Sequence, residues 1–286
     1  MDAGFIIRSL NHDDIGDCIS LSASVSWNQT EDDWKQIVVD PHNICLGAES
    51  GGRIIGTATA VNYGEKVAWV GMVMVEKTFR GRGISKILLS DLLEKLKSFK
   101  SVKLDATPAG QPLYAKFGFM DECLIYRMMA PGFRGLGARS RLLIPERITP
   151  GIVRGIVDLD DSVFGVGREK LIKSLIEKSP ENSWFLKKDD MITGFVLSRS
   201  GRDYHQIGPV SALTFEGARV LIFRALEGLD NSPVVVDVPA GQEELIEWLK
   251  FNGFENQRHL VRMFLHTNPF PGQPENQFLI CGPEFG

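Results

Sequence analysis

The second half of the chain repeats landmarks of the first half in the same order, and this duplication limits the folds available to it. A Gly-Phe pair, followed by an Arg-Met pair nine residues after the glycine, occurs at 118–128 and again at 253–263. Upstream of these pairs, DATPAGQ at 105–111 corresponds to DVPAGQ at 237–242. The apolar positions of SKILLSDLLEKL are nearly all kept in ARVLIFRALEGL. Ordered matches at a nearly constant offset predict two copies of one domain.

The length suits this division, because 286 residues allow two domains of common size. We predict a first domain over 1–130 and a second domain over 151–286. Residues 131–150 are predicted to be a linker, since four of their first seven residues are glycine or proline and little periodicity follows. With 43% hydrophobic residues, the chain can fill two cores.

Charge and residue spacing argue against several classes of function. A net charge of −4 offers no electrostatic attraction for nucleic acid or an anionic membrane. The four cysteines form no CxxC pair and the five histidines show no HxxxH spacing, so neither a metal site nor a disulfide framework is expected. No apolar run approaches 18 residues and the first residues lack a signal pattern, so we expect a cytoplasmic protein.

The apolar pattern predicts an α/β (α+β) fold, in which each copy has a mixed, mostly antiparallel central sheet flanked by helices. Strands are expected at 5–10, 44–49, 53–61, 66–75, 101–107 and 124–129. Helices are expected at 11–24, from about 30, at 86–99 and at 112–119. In the long helix, an apolar stripe is predicted to face the sheet, formed by Ile87, Leu88, Leu92 and Leu96.

The sharpest local signal is the turn RGRGIS at 80–85, which lies between a predicted buried strand and the long helix. Its glycines allow the backbone to approach a ligand closely, and the amide N–H groups at the start of the helix favour an anion. Arg80 and Arg82 can add charge-assisted hydrogen bonds. The turn therefore predicts a pyrophosphate site, although it matches neither the GxxxxGK[ST] nucleotide loop nor the GxGxxG dinucleotide motif.

The run VMVEKTFRGRGISKILL resembles motif A of the GNAT acetyltransferase superfamily, whose pattern is Q/R-x-x-G-x-G/A. Arg80 and Gly83 fit this pattern, and Ser85 stands in for its last small residue. PLYAKFGF resembles the second motif of the family, in which a tyrosine precedes a Gly-Phe pair by four residues. WNQTEDDW, LDATPAG, IGPV and CGPEFG extend the likeness over almost the full length, to tandem-GNAT proteins with a divergent second domain.

This resemblance implies acetyl-CoA as co-substrate and no metal. Backbone groups of Val73, Met74 and Val75 would contact the pantetheine arm and the acetyl carbonyl. The pyrophosphate would lie in the turn, on Gly81, Arg82, Gly83, Ile84, Ser85 and Lys86. Tyr114 would protonate the departing thiolate of coenzyme A. The asparagine often found seven residues before this tyrosine is Thr107 here, so one cofactor contact departs from the family pattern.

Several residues keep more than one interpretation. Without its motif, Tyr114 would be an ordinary packed helix tyrosine, and Asp105 is expected to cap the turn after its strand. Met72 and Met74 alternate with Val73 and are expected to pack in the core. A packed segment and a substrate-facing wall are equally consistent with Trp27, Asn28 and Trp34. No spacing singles out a general base among Glu76, Glu49, Asp33, His42 and Cys123.

The second half lacks the chemistry of the first. Its segment IGPVSALTFEGARVL has no arginine before the helix, and it places Glu216 about where a diphosphate would sit, where a carboxylate repels an anion. Leu249 takes the position of Tyr114. A polar run, Asp203 to Gln206, leads into the corresponding strand, and its His205 is expected to be structural. We predict that the second domain has lost coenzyme A binding.

The function predicted from these observations is acetyl-CoA-dependent N-acetyltransfer to a primary amine, of a small molecule or a protein, by direct attack in a ternary complex. An alternative from another class is a non-catalytic, coenzyme A-dependent sensor. The intact turn together with Tyr114 favours catalysis, because a sensor needs no acid for a thiolate. Neither the acceptor nor the oligomeric state follows from the sequence. One coenzyme A per chain is expected, with the second domain forming a wall or lid of the acceptor pocket.

Overall fold

One continuous sheet runs through the protein. The structure is a computed structural model, and it describes residues 4–133, 143–229 and 232–286. Within these ranges, 13 strands form a single mixed, mostly antiparallel sheet with helices packed against its faces. The predicted α/β class is confirmed, and the two copies prove to share one sheet.

The first half contributes the strands β1 (Ile6–Ser9), β2 (Ile44–Ser50), β3 (Arg53–Tyr63), β4 (Val67–Val75), β5 (Ser101–Ala106) and β6 (Met120–Ala130). Its helices are α1 (Ile15–Ser24), α2 (Glu31–Val38), α3 (Ile84–Lys95) and α4 (Gln111–Lys116). Asn11 is the N-cap of the short 3₁₀ turn His12–Asp14 that leads into α1, and Thr30 is the N-cap of α2. Each side chain accepts a backbone N–H, as N-cap residues do. Strand β6 is longer at both ends than the predicted segment 124–129.

The second half contributes β7 (Glu146–Arg147), β8 (Trp184–Lys188), β9 (Met191–Arg199), β10 (His205–Ala212), β11 (Val234–Pro239), β12 (Glu255–His266) and β13 (Gln277–Leu279). Its helices are α5 (Val153–Phe164), α6 (Glu169–Lys178), α7 (Phe215–Glu227) and α8 (Glu243–Phe251). Residues 134–142 of the predicted linker lie outside the described residues. Further along the same segment, β7 pairs with β8.

The two halves exchange their long final strands. Along the sheet the order is β1-β2-β3-β4-β5-β12-β6-β11-β10-β9-β8-β7, and β13 pairs with β10. Strand β12 of the second half therefore lies against β5 of the first, while β6 of the first half lies against β11 of the second. Each half completes the sheet of the other, so the strands of neither half form a separate sheet.

Two buried ion pairs join the exchanged strands. Arg127 on β6 donates to Asp237 on β11, from Nε to Oδ1 at 2.8 Å and from Nη2 to Oδ2 at 2.7 Å. Arg262 on β12 makes the equivalent pair with Asp105 on β5, at 2.9 and 3.0 Å. The repeated Asp and Arg of the sequence thus pair between halves. Asp105 was expected to cap a turn; that interpretation is wrong, because its carboxylate is taken up by Arg262.

The apolar stripe of α3 is only partly as predicted. Leu88, Leu92 and Leu96 are buried, but Ile87 is 41% exposed and Leu89 is buried in its place. Ile87 and Leu89 flank the same stripe on opposite sides. The rotation of the helix about its own axis decides which flank is covered, and the helical pattern by itself does not fix that rotation.

No helix in the described ranges combines the length and the apolar character needed to cross a membrane. The same ranges contain no group of three or more His, Cys, Asp or Glu side chains that could hold a metal ion.

Candidate active site

Strands β4 and β5 run parallel and then separate. Their pairing extends from Val67–Ser101 to Val70–Leu104 and stops there. On the other side of β4 the pairing with β3 shifts register between Thr57 and Thr59. An extra residue on one strand bends it and increases its twist. The edge of β4 from Gly71 onward therefore faces no neighbouring strand among the described residues.

The bulge is built around Met72, whose φ of +51° is unusual for a residue with a side chain. Two threonines of β3 hold it: Thr57 Oγ1 donates to the Met72 carbonyl at 2.6 Å, and Thr59 Oγ1 donates to the Gly71 carbonyl at 3.1 Å. The Met72 side chain is buried in the core, as the sequence predicted, and so is that of Met74. Strain of this kind persists only where surrounding contacts enforce it, and it is concentrated at functional sites.

The glycine-rich turn follows directly after β4. Gly81 and Gly83 have φ values of +80° and +77°, a region that disfavours side chains, and Gly83 is the N-cap of α3. Arg80 turns back toward β4, where its Nε donates to the Val75 carbonyl at 3.0 Å. The guanidinium of Arg82 lies over the Phe79 ring, 5.1 Å from its centroid. The exposed turn and the unpaired edge of β4 are therefore linked by a direct contact.

A cavity of about 90 Å³ opens where β4 and β5 separate. That volume is several times what one water needs, so a small functional group can enter it. Tyr114 of α4 lines it, with its ring edge-on to Phe119 at 5.8 Å between centroids. Burial raises the pKa of Tyr114 above its usual value, so the phenol stays protonated at neutral pH. Thr107 also lines the cavity, and its Oγ1 accepts the Gly110 N–H at 3.2 Å.

Residues of the second half complete this cavity. Arg258 and Leu260 reach it on the exchanged strand β12, and Pro283 and Glu284 reach it from the segment after β13. Both halves therefore line the cavity, the second half through the exchanged strand β12 and through the segment after β13.

The equivalent place in the second half is filled by the chain itself. Strands β10 and β11 pair in parallel from His205–Val234 to Ile207–Val236, as β4 and β5 do. Beyond that point β13 adds to β10, pairing Val210 with Leu279. The N–H of Ile280 then donates to the Asp237 carbonyl at the end of β11, at 3.0 Å. The space between β10 and β11 is closed by backbone.

Two residues expected to mark the loss of chemistry in the second half have structural roles. Glu216, in the first turn of α7, accepts hydrogen bonds from Arg219, the shortest at 2.7 Å. Leu249 is fully buried in the core of the second half.

His205 also has a structural role, as expected. It bonds through Nε2 to Ser198 Oγ at 2.9 Å, and burial lowers its pKa to about 4. It therefore stays neutral at physiological pH.

Trp27, Asn28 and Trp34 were each open to two interpretations, a packed segment or a wall of the substrate site, and the structure separates them. Trp27 and Gln29 line the cavity. Asn28 ties the halves together, because its Nδ2 donates to the Tyr204 carbonyl at 2.9 Å and its Oδ1 accepts two backbone N–H groups at 3.0 Å. Trp34 is fully buried and donates to Ser22 Oγ.

None of the five side chains considered for a general base lines this cavity. Glu76 pairs with Arg53, Glu49 with Arg8, Asp33 with Arg199 and His42 with Asp40. Cys123 lies on β6 beside a different cavity. The second half contributes the carboxylate-bearing residue Glu284 to the lining of the cavity. It lies within CGPEFG, a segment picked out from the sequence without a role for any of its residues.

Comparisons with known proteins agree with this fold. A model of the acetyltransferase (GNAT) family matches residues 13–119, and a model of an acetyltransferase (GNAT) domain matches residues 156–279. Each half of the shared sheet thus corresponds to one GNAT domain. The chain belongs to the GNAT acetyltransferase family, as a tandem-GNAT protein.

Two curated relatives match over most of their lengths. The chain is 24% identical over 233 residues to the holothin acyltransferase of Pseudoalteromonas sp. (strain SANK 73390), covering 81% of this chain and 78% of that protein. It is 22% identical over 257 residues to YitH, an uncharacterised N-acetyltransferase of Bacillus subtilis (strain 168), covering 89% of each.

Solved structures share the whole architecture. A Pyrococcus horikoshii protein classed among the acetyltransferases superposes with a TM-score of 0.81 at 22% identity, covering 99% of this chain and 96% of that one. A tandem GNAT protein from the clavulanic acid biosynthesis pathway gives a TM-score of 0.62 at 16% identity, covering 92% and 98%. At these identities the likeness shows a common fold.

Proposed function

We propose that the protein is an acetyl-CoA-dependent N-acetyltransferase that acetylates a primary amine by direct attack in a ternary complex. The observation that carries this proposal is the cavity at the separation of β4 and β5, which places a buried, protonated tyrosine beside an unpaired strand edge. Family membership and the acyltransferase names of two relatives support transfer of an acyl group.

The residues of the first half fit a coenzyme A thioester. The unpaired edge of β4, with Val73, Met74 and Val75, offers backbone groups to an extended pantetheine arm. The turn from Arg80 to Lys86 offers amide N–H groups and cations to a pyrophosphate. Tyr114 holds the proton that a departing thiolate takes up. The second half, where β13 fills the equivalent space, is proposed to bind no coenzyme A.

Catalysis is tested by the release of free thiol from acetyl-CoA in the presence of primary amines. The panel contains alkylamines, arylalkylamines, amino sugars and a lysine peptide. We expect at least one amine to raise thiol release above hydrolysis and to gain the mass of one acetyl group. Tight coenzyme A binding without acetylation of any amine would instead support the non-catalytic sensor.

Coenzyme A binding is predicted to occur once per chain and to depend on the turn. The double substitution Arg80→Ala with Gly83→Val should weaken acetyl-CoA binding at least tenfold, or about 1.4 kcal/mol. It removes the contact with the Val75 carbonyl and forces a side chain into a φ of +77°. Calorimetry gives both the stoichiometry and the dissociation constant.

The control for this prediction is Arg154→Ala, which removes an exposed arginine of the second half. Two equivalents of coenzyme A per wild-type chain would contradict the single site. Unchanged affinity in a folded double variant would remove the turn from the cofactor site.

A further inference from the structure

The cavity beside Tyr114 contains two buried oxygen atoms that lack a hydrogen-bond partner in the described part of the chain. They are Oε2 of Glu284 and Oε1 of Gln29, on side chains that line the cavity and belong to residues only 2% and 6% exposed. Leaving a buried polar group unpaired costs about 1–3 kcal/mol, so such atoms mark a place that a ligand completes. Both oxygens accept hydrogen bonds, whereas Arg258 Nε, a third buried atom without a partner among the described residues and on a side chain that lines the same cavity, donates one. The group that completes the site must therefore offer a donor to the two oxygens and has room to offer an acceptor to Arg258.

Glu284 is held in place by both halves of the protein. Arg199 Nη2 donates to its Oε1 at 2.6 Å, and its Oε2 has no donor among the described residues. On either side of it, Trp69 Nε1 donates to the Pro283 carbonyl at 2.9 Å and Tyr63 Oη donates to the Phe285 carbonyl at 2.8 Å. The carboxylate is fixed in position before any ligand binds.

The close approach of this segment to β4 requires a glycine at position 71. A Cβ atom there would lie 3.2 Å from the Cα of Glu284, which is tighter than ordinary van der Waals contact. Gly71 is the first residue of β4 beyond its pairing with β5. Glu284 is therefore packed against the point where the strands separate, beside the proposed position of the thioester.

We propose that Glu284 and Gln29 recognise the acceptor amine, and that Glu284 takes the proton which the attacking nitrogen loses. The proposal rests on the acetyl transfer proposed above and names the acceptor site for it. A neutral primary amine brings the N–H donors that the two oxygens lack, and the carboxylate can take one of its protons as the nitrogen attacks. Comparing the sequences of the two halves could not reveal this site, because Gln29 lies in the first half and Glu284 in the second.

The proton balance is simple. The nitrogen attacks the thioester carbonyl carbon, a C–N bond forms, and Oε2 of Glu284 accepts an N–H proton. The C–S bond breaks, and Tyr114 gives its phenolic proton to the sulfur. Transfer of the proton from Glu284 to the phenolate through solvent restores both side chains. The net change is one proton moved from nitrogen to sulfur, with no further reactant.

Other charged groups surround this carboxylate. Arg199 pairs with it and also with Asp33 of α2. Arg127, Arg258 and Asp105 line the same cavity, where Asp105 is paired with Arg262. Asp33 does not line the cavity. Asp33→Asn is therefore a matched control, because it also takes one carboxylate from Arg199 but leaves the cavity wall intact.

The test is Glu284→Gln in the full-length protein. We expect kcat/KM for the acceptor to fall about 100-fold at pH 7, in the range of general acid–base assistance, with unchanged affinity for acetyl-CoA. Asp33→Asn should stay within a few-fold of wild type. An active wild type with near-normal Glu284→Gln turnover overturns this proposal while leaving acetyl transfer in place.

A second variant and a binding measurement test recognition of the amine separately from proton transfer. Gln29→Met removes the neutral acceptor and should raise the KM for the amine several-fold with little change in kcat. If no amine is acetylated by wild type, the proposed function and the proton transfer fail together. Calorimetry with benzylamine and saturating coenzyme A then decides amine recognition: tenfold weaker binding to Glu284→Gln supports it, and equal binding overturns it.

Discussion

Replacing Tyr114 with phenylalanine is expected to lower kcat by about 10²- to 10⁴-fold, while the affinity for acetyl-CoA stays nearly the same. Burial raises the pKa of the phenol, so it carries its proton at neutral pH, and it lines the cavity where β4 and β5 separate. Phenylalanine keeps the edge-on packing against Phe119 but cannot protonate a leaving sulfur. Steady-state kinetics with the acceptor, together with calorimetry for acetyl-CoA, measures both quantities.

Tyr126→Phe is the matched control, because this tyrosine packs against the core of the second half and does not line the cavity. It should retain wild-type kcat. Wild-type turnover in Tyr114→Phe would show that this ring only packs, and the acid would have to be sought elsewhere in the cavity.

Arg127→Met is expected to lower the free energy of unfolding by about 3–5 kcal/mol, the usual cost of leaving a buried charge unpaired. Asp237 is fully buried and loses both guanidinium bonds, so that within the described ranges only Gln206 Nε2, at 3.2 Å, still donates to it. Because this pair joins strands of the two halves, both halves should lose stability together. Urea unfolding followed by tryptophan fluorescence and by circular dichroism should therefore show one shared transition at a lower midpoint.

The double variant Arg127→Met with Asp237→Leu separates charge from packing. It removes the unpaired carboxylate and should recover at least half of the lost free energy, since apolar replacements of buried pairs are often tolerated. A loss below 1 kcal/mol in Arg127→Met, or two separate transitions in the wild type, would contradict the view that this pair holds the exchanged strands.

Much of the fold could be predicted from local patterns. Strand runs, helix caps and the glycines of the turn each reflect a short-range physical need, such as burial of one face, a partner for a free N–H or a positive φ. The elements of the first half accordingly lie close to their predicted positions. The separation of β4 and β5 was not predicted. The bulge beside it is centred on Met72, and methionine has no preference for a positive φ that would mark such a position in a sequence.

The part of the candidate site that comes from the first half could be predicted from the sequence. The turn and Tyr114 each belong to a short contiguous motif. In the structure the turn lies between β4 and α3, and Tyr114 lines the cavity. Roles for these residues stay predictions until the binding and kinetic experiments are done. The general base could not be found in the same way, because Glu284 is far from Tyr114 in sequence and reaches the cavity only through the fold.

The sequence by itself determined that this protein has two related halves, and that a glycine- and arginine-containing turn precedes the long helix of the first half but not that of the second. Only the tertiary structure decided how those halves combine. Each half carries both an aspartate and an arginine of the buried pairs, so pairing within halves or between them satisfies the same charges. The edges of β5 and β11 present the same backbone groups to either final strand. Connectivity and packing therefore decide the exchange, and the fold separately brings Glu284 to the cleft of the first half on the segment after β13.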